Sequence, residues 1–385
     1  MIIKPKVRGF ICTTAHPAGC AKNVQNQINY VKNSAPIPSM KNALIIGCSA
    51  GYGLASRISA AFSGGANTLG IMFERPSQNG KPATAGWYNT AAFEDAAKSE
   101  NLYAKTINGD AFSADVKQQA INTIRRDMGK IDLVVYSLAA PRRAMADGSV
   151  VSSVLKTTGD AYTNKTIDLA SRTVSDITIP PATEEEIANT VTVMGGQDWQ
   201  DWIAALSEAD LLAEDAVTVA YSYIGPSLTH PMYKNGSIGA AKQHLFETAN
   251  TISDQYIRAY IAVNKALVTQ SSAAIPIVPL YISILYKVMK EMDLHEGCIQ
   301  QIQRLLRDKL FSGDTDQTGQ IRMDDLEMRK DVQDKVSKIW AEITTENTDS
   351  LADIDGYWQD FYQMFGFDMD GIDYNADVDP AVSID

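Results

Sequence analysis

The sequence predicts an α/β protein built on a doubly wound parallel sheet, and three observations carry that prediction. Apolar, β-branched runs recur along the chain. Helix-like segments separate them. The first run ends in a glycine-rich turn that opens a helix. Strands alternating with helices imply βαβ units, and a parallel sheet must be covered on both faces.

The runs are Ala43–Gly47 (ALIIG), Thr68–Glu74 (TLGIMFE), Ile131–Ser137 (IDLVVYS), Ala216–Tyr223 (AVTVAYSY) and Tyr256–Asn264 (YIRAYIAVN). They lack polar alternation, as strands buried on both faces do. Another strand region leads into Gly109-Asp110-Ala111-Phe112. Between the first two runs, Leu54, Ile58, Ala61 and Phe62 recur at helical spacing until Gly64-Gly65 stops them. Ala111–Arg126 also reads as a helix. Pro141–Gly196 breaks the rhythm. It is rich in Thr, Ser and Pro, with short β-like pieces and an acidic helix start at Thr183–Glu186, and is expected to be an insertion beside the site. After Phe311 the tail is acidic and helical, then rich in Asp and aromatics.

Composition bounds the function. A chain of 385 residues, 45% hydrophobic, 21% charged and 8% aromatic, excludes a mainly disordered, collagen-like or coiled-coil protein. The balance 34 − 46 = −12 disfavours nucleic acid and anionic membranes as partners. Cys12, Cys20, Cys48 and Cys298 are too few for a disulfide framework in a chain this size. The N-terminus carries no signal-like apolar run. The longest apolar stretch, Ala273–Tyr286, is too short for a membrane span and contains Pro276 and Pro279. The expectation is a cytoplasmic protein.

The first strand ends in Gly47-Cys48-Ser49-Ala50-Gly51-Tyr52-Gly53. Glycines there let the backbone approach a pyrophosphate, and the following helix start supplies free N–H groups. An ordinary strand–helix turn is the plainer reading of a single glycine loop. The other strand ends strengthen the dinucleotide reading. Phe73-Glu74 lies about 20 residues past the last glycine, where an acid binds the adenosine ribose. Glu74 would repel the extra phosphate of NADP, although Arg75 beside it could hold one; a solvated strand end is the alternative. Asp110-Ala111 suits the adenine edge, and Leu138-Ala139 provides small residues where a ribose passes.

The short-chain reductases pair a Tyr hydroxyl with a Lys near the nicotinamide, and Tyr-x3-Lys puts both on one helix face. Here the spacing is Tyr233-x8-Lys242. Nine positions turn a regular helix by about 900°, placing the two on opposite faces. Asn235-Gly236 offers a break with Ser237 as N-cap, so Tyr233 is expected in the loop before the helix and Lys242 within it. Tyr221 and Tyr223 at the preceding strand end can face the same cleft. On spacing alone, Tyr233 could be a surface tyrosine and Lys242 a solvated lysine.

Taken together, these residues resemble the trans-2-enoyl-CoA reductases and the similar V-type enoyl-acyl-carrier-protein reductases. The resemblance runs along the whole chain, through IIKPKVRGFI, GCSAGYGLASR, GWYN, GDAFS, YSLAAP, VMGGQDW, AYSYIGP, Tyr-x8-Lys, NKALVT, IPIVPLY and GYWQDFYQMFGFD. It implies a monomer with a Rossmann-type sheet, similar to short-chain reductases, that reduces the C2–C3 bond of trans-2-enoyl thioesters with NADH in fatty acid synthesis. It implies Tyr233 as proton donor, Lys242 as cofactor ligand and Tyr223 at the substrate thioester. It further implies that Gly47, Cys48, Ser49, Ala50, Gly51 and Tyr52 cradle the pyrophosphate. Phe73 and Glu74 would hold the adenosine, Asp110 and Ala111 the adenine side, and Leu138 and Ala139 the ribose. Leu267, Val268 and Thr269 would lie along the nicotinamide. The carrier, CoA or acyl carrier protein, stays open. The expected organisation is one catalytic domain over residues 1–385. Residues 40–140 form the first dinucleotide-binding half, 141–200 a substrate-side insertion, 201–310 the half with Tyr, Lys and acyl pocket, and 311–385 a helical C-terminal extension. Ile275–Tyr286 reads as an acyl-pocket wall, a buried core helix, or both. Arg142 and Arg143 are candidates for CoA phosphates. A carbonyl reductase of the short-chain type and a non-catalytic nucleotide-binding protein are the alternatives.

Other signals read as structural. Cys12, His16 and Cys20 match no zinc spacing. Asp314–Asp325 imitates a calcium loop but carries Thr at position 5, Arg at 9 and Asp at 12. No metal is expected. His230 and His244 read as surface histidines flanking a loop, and Cys48, though at a helix start, has no patterned His to activate it.

Overall fold

The computed structural model describes residues 1–384 apart from Phe10, Ala139, Ala146, Ser271, Ala273 and Ala274. In chain order its strands are β1 Val7–Arg8, β2 Ile11–Cys12, β3 Asn42–Ile46, β4 Asn67–Met72, β5 Ala104–Asn108, β6 Ile131–Tyr136, β7 Arg142–Ala144, β8 Val150–Ser152, β9 Tyr162–Asp168, β10 Thr173–Ile179, β11 Leu212–Ser222, β12 Arg258–Val263 and β13 Ile321–Arg322. The α-helices are α1 Pro17–Asn33, α2 Gly51–Phe62, α3 Ala85–Ser99, α4 Ala114–Asp127, α5 Glu184–Met194, α6 Gln197–Glu208, α7 Ser237–Gln255, α8 Val278–Glu291, α9 Cys298–Arg304, α10 Lys330–Glu342, α11 Thr348–Leu351 and α12 Ile354–Gln363.

Seven strands form one sheet in the order β13-β12-β11-β6-β3-β4-β5, and every pairing in it is parallel. Alternate residues of one strand feed opposite cores. Ala43 and Ile45 of β3 pack with Leu54 and Ile58 of α2 and with Val24 and Ile28 of α1. Leu44 and Ile46 pack on the other face with Ile124 of α4, Trp202 of α6 and Leu245 of α7. A strand apolar at consecutive positions therefore buries both faces. A third core joins α8, α10 and α12 to the chain's N-terminal residues.

The expected insertion is two hairpins, β7–β8 and β9–β10, followed by α5. Thr183 caps α5 in a reciprocal box with Glu186, as the acidic helix start predicts. The tail differs from expectation in one respect. It returns a two-residue strand, β13, to the sheet edge beside β12. Two residues carry no readable period. Among the described residues, no helix is long and apolar enough to cross a membrane.

Candidate functional site

Parallel strands end on a common edge. The crevice opens where the chain reverses direction, because β3 leads outward to β4 and β5 while β6 returns on its other side. A cleft of about 1080 Å³ lies along that edge. Gly47, Ser49, Ala50, Gly51, Tyr52, Phe73, Glu74, Asp110, Ala111, Leu138, Tyr223, Tyr233, Lys242, Leu267, Val268 and Thr269 all line it. The structure thus gathers nearly every residue singled out from sequence. Two stand apart. Ala139 lies outside the described residues. Cys48 is fully buried beneath the loop, its Sγ 3.8 Å from the Arg57 guanidinium and its N–H donated to the Ile71 carbonyl. Burial raises the Cys48 thiol pKa, which removes it as a nucleophile.

The glycine loop has a tight geometric logic. Gly47 has φ +83, and a Cβ there would lie 2.0 Å from the Ser137 carbonyl oxygen. A Cβ on Gly53 would lie 1.8 Å from the Gly47 carbonyl oxygen. The loop can therefore fold onto the α2 start only without side chains at both positions. No side chain caps α2. Its first N–H groups and the positive end of its dipole are left for an anion.

The acid at the second strand end is held in place. Ser49 Oγ donates to Glu74 Oε1 at 2.7 Å, and the backbone around Glu74 is tied to the Asn108 carboxamide. Gly86 of α3 makes room for the carboxylate. Phe73 is 77% exposed beside it, a flat apolar face at the cleft mouth. Arg75 is exposed and does not line the cleft.

The Tyr–Lys pair sits as its spacing requires. Tyr233 lies in the turns before α7, and Lys242 lies within that helix. The cap differs from expectation. Gly236 is the N-cap, and Ser237 spends its hydroxyl on the Val154 carbonyl of the insertion, 2.5 Å away. Lys242 Nζ donates to the Tyr221 carbonyl at 3.0 Å, and burial lowers its pKa to about 8. The rings of Tyr223 and Tyr233 meet edge to face with centroids 4.6 Å apart. Burial, then the Glu327 carboxylate, pushes the Tyr233 phenol above its ordinary range, so it keeps its proton at neutral pH. Its hydroxyl makes no hydrogen bond to any described residue.

Several cleft residues escaped the sequence reading. Asn264 is 3% exposed, and both polar atoms of its carboxamide are buried without a partner among the described residues. Lys265 is 2% exposed, with Nζ on the Ala266 carbonyl at 3.0 Å and over the Tyr286 ring, and burial lowers its pKa to about 8. Glu327 and Tyr281 stand just behind the lining. The signal for Asn264 and Lys265 was an amide and a cation directly after a fully apolar strand. Nothing local marks Glu327.

Ile275, Val278 and Ile282 line the cleft while α8 is buried along its length. Pocket wall and core helix are the same object. Arg143 does not offer itself to a phosphate. It stacks over Phe112, donates to the Thr192 carbonyl and approaches Asp198 and Asp201. His230 and His244 are half-buried rather than surface residues, each ring nitrogen engaged with the backbone of Gly225 or Gly196. His16 caps α1. Among the described residues no three His, Cys, Asp or Glu side chains gather as metal ligands. In the calcium-like loop Asp316 binds Thr318, Gln320 and Arg322, and Asp325 is paired with Arg304 and Lys309.

Comparison with known proteins gives a consistent family. The trans-2-enoyl-CoA reductase catalytic region matches residues 81–311, and the NAD(P)H binding domain of trans-2-enoyl-CoA reductase matches residues 2–79. The NADH trans-2-enoyl-CoA reductase of Ruminiclostridium cellulolyticum is 53% identical over 392 residues, covering 100% of this chain and 99% of that one. An NADH enoyl-acyl-carrier-protein reductase of Flavobacterium psychrophilum is 54% identical with the same coverage. The crystal structure of Treponema denticola trans-2-enoyl-CoA reductase in complex with NAD superposes with a TM-score of 0.95 at 48% identity, covering 100% of both chains.

Residues 315–378 match a third region described as an enoyl reductase FAD binding domain. The residues present do not fit a flavin dinucleotide. From this segment the cleft receives Asp360, Gln363, Met364, Met369 and Asp370, two acids and no cation. Such a surface would repel a pyrophosphate, and Tyr357 and Phe361 are packed into the core. The Gly47–Gly53 turn, by contrast, has the close-packed glycines and the uncapped helix start that a dinucleotide needs, and with these matches the chain belongs to the trans-2-enoyl-CoA reductase family.

Proposed function

We propose that this protein reduces the C2–C3 double bond of trans-2-enoyl thioesters with NADH. One observation carries the reading: a single cleft joins the dinucleotide cradle and Glu74 to Tyr223, Tyr233 and Lys242, with an apolar wall from Ile275, Val278 and Ile282. The nicotinamide, when bound, supplies the hydride that adds at C3.

The protein's residues do the rest. The α2 start and the Gly47–Tyr52 turn receive the pyrophosphate. Glu74, held by Ser49, accepts from the adenosine ribose, and Phe73 covers its base, with Asp110 and Ala111 at the adenine edge. Leu138 borders the ribose, and Leu267, Val268 and Thr269 border the nicotinamide. The Lys242 ammonium donates to the nicotinamide ribose. As hydride adds at C3, charge builds on the thioester oxygen, and a donor aimed there lowers the barrier. Tyr233 is that donor, because its proton is retained and uncommitted; the proton ends on C2, which completes the saturated thioester, and the phenolate left behind is reprotonated from solvent. Burial along α8 keeps water from the developing enolate.

Both a CoA and an acyl-carrier-protein enzyme stand among the relatives, so the reading is of an enoyl thioester and both carriers enter the test. It also takes the chain as one catalytic unit, supported by β13 and Glu327 reaching back to the sheet and the site. A monomer and a cytoplasmic place complete the reading; the four free thiols support a reducing compartment. The experiment is NADH oxidation by the purified protein with crotonyl-CoA and with a crotonyl acyl carrier protein. NADPH and the saturated thioester are the controls. NADH loss only with an enoyl thioester is the expected result, and none with either carrier overturns the reading.

A further inference from the structure

Glu327 is fully buried in the turn after β13, far along the chain from the Tyr–Lys segment. Its carboxylate collects three hydrogen bonds from three parts of the molecule. The Tyr223 hydroxyl donates to Oε1 at 3.0 Å, from the end of β11. The Tyr281 hydroxyl donates to the same oxygen at 2.6 Å, from α8. The Ala266 N–H donates to Oε2 at 2.7 Å, from the segment that leads to Leu267, Val268 and Thr269. The acid itself is braced. Gln333 of α10 donates both to the Glu327 carbonyl, 2.8 Å away, and to the Tyr281 oxygen.

A tyrosine has one hydroxyl proton. While Tyr223 gives its proton to Glu327, it turns a lone pair toward the rest of its surroundings. Tyr233, in ring contact with it, has an uncommitted hydroxyl. The two tyrosines look alike in sequence, and the buried acid makes them different.

We infer that Glu327 is a positioning residue for the reduction: it fixes the direction of the Tyr223 hydroxyl, pins the backbone at Ala266, and so leaves Tyr233 as the tyrosine that delivers a proton. This rests on the role proposed above for Tyr233 and on the place of Tyr223 in the same cleft.

Glutamine at 327 is a sharp probe because it cannot copy this pattern. With its oxygen toward the tyrosines, its NH2 opposes the Ala266 N–H. Flipped, it accepts from Ala266 but donates to the tyrosines, which turns the Tyr223 proton the other way. It also removes a negative charge. The groups facing position 327 are Tyr52, Tyr223, Tyr233, Tyr281, the Ala266 N–H, Lys265 and Asp324. Loss of the carboxylate makes a phenolate among them easier to form.

The test is a cycle of Glu327→Gln, Tyr223→Phe and the double variant. For each, kcat with a crotonyl thioester, NADH dissociation constant, melting temperature and the alkaline limb of kcat/KM are measured. In Glu327→Gln, kcat should fall about tenfold or more while NADH affinity stays within about twofold. The alkaline limb should move to lower pH, which a merely structural role would not cause. The double variant should lose less than the two single losses combined, as expected of residues acting through one another. Wild-type kcat in Glu327→Gln, an unmoved limb, or additive losses would overturn the inference. Wild-type kcat in Tyr223→Phe would instead sink the role of Tyr223. If Glu327→Gln does not fold, Glu327→Asp keeps the charge and shortens the reach. It should lose kcat with the limb unmoved, and wild-type kcat in that variant overturns the inference.

Discussion

Tyr233→Phe separates chemistry from stability, and the structure says by how much. The Tyr233 ring is 8% exposed and packs against Tyr223, while its hydroxyl bonds to no described residue. Phenylalanine keeps the ring and strands no partner, so folding stability should change by less than about 0.5 kcal/mol. Turnover should drop about 10²- to 10⁴-fold, the usual worth of a positioned general acid. NADH should still bind, because Lys242 and the α2 start are untouched. Tyr223→Phe is the matched contrast. It takes a donor from a buried carboxylate, so it should cost about 1–3 kcal/mol of stability. Steady-state kinetics, NADH fluorescence titration and urea unfolding on both variants provide the measurement. Near-normal turnover in Tyr233→Phe would refute its role as donor. Equal stability losses in the two variants would refute the hydrogen-bond reasoning.

NADH affinity should weaken as pH rises through about 8. Burial lowers the Lys242 pKa to about 8, so its ammonium is present below that pH and lost above it, and an anionic cofactor favours the charged form. Lys265 titrates in the same range, so the pH profile of Lys242→Met isolates the share of Lys242; an unchanged profile would count against it. In Gly86→Ala the new Cβ would lie 2.0 Å from Glu74 Oε1. The carboxylate must swing off Ser49, and because the new Cβ would also lie 2.8 Å from the Ser49 Cβ the turn itself must shift, so NADH should bind about tenfold more weakly and the melting temperature should fall. Unaltered NADH affinity would discount Glu74. Arg57→Leu removes a fully buried guanidinium that bonds Thr106, the Lys105 carbonyl and Glu94 beneath the glycine loop. It should cost about 3–5 kcal/mol by denaturant unfolding, and a loss under 1 kcal/mol would refute the account of the Arg57–Glu94 pair.

How much of this was readable depends on whether a feature is local. The sheet strands of the first half advertise themselves, because strands covered on both faces need several consecutive apolar residues. The glycine loop, Glu74 and Asp110 follow at strand ends, and parallel strands bring those ends to one edge regardless of sequence distance. That is why residues as far apart as Gly47 and Thr269 could be assigned to one cleft. The Ser237 cap was misread because its hydroxyl serves a distant carbonyl at Val154, a choice made by tertiary contact. Arg143 shows the same dependence on tertiary contact. A cation beside a phosphate site is as easily taken by Asp198 and Asp201 as by a ligand, and only packing decides.

The charge balance shows where composition misleads. By composition a chain of net charge −12 is ill-suited to an anionic dinucleotide. Among the described lining residues, the lysine and arginine side chains are Lys242 and Lys265, set against Glu74, Asp110, Asp360 and Asp370. His295 adds no charge near neutrality, since burial lowers its pKa to about 3. In the proposed binding mode anion recognition falls to backbone N–H groups at the uncapped start of α2, which no charge count registers. The acids have work of another kind. In the proposed binding mode Glu74 faces the ribose; Asp360 accepts from the Tyr286 hydroxyl, which in turn receives the Val268 N–H. Glu327 does the same for Tyr223 and Ala266. Glu327 is buried behind the lining, Asp360 is half-buried within it, and both carboxylates order the cleft by holding neutral hydroxyls. The C-terminal segment supplies both of them, so its acidity bears on the geometry of the reduction rather than on solubility alone.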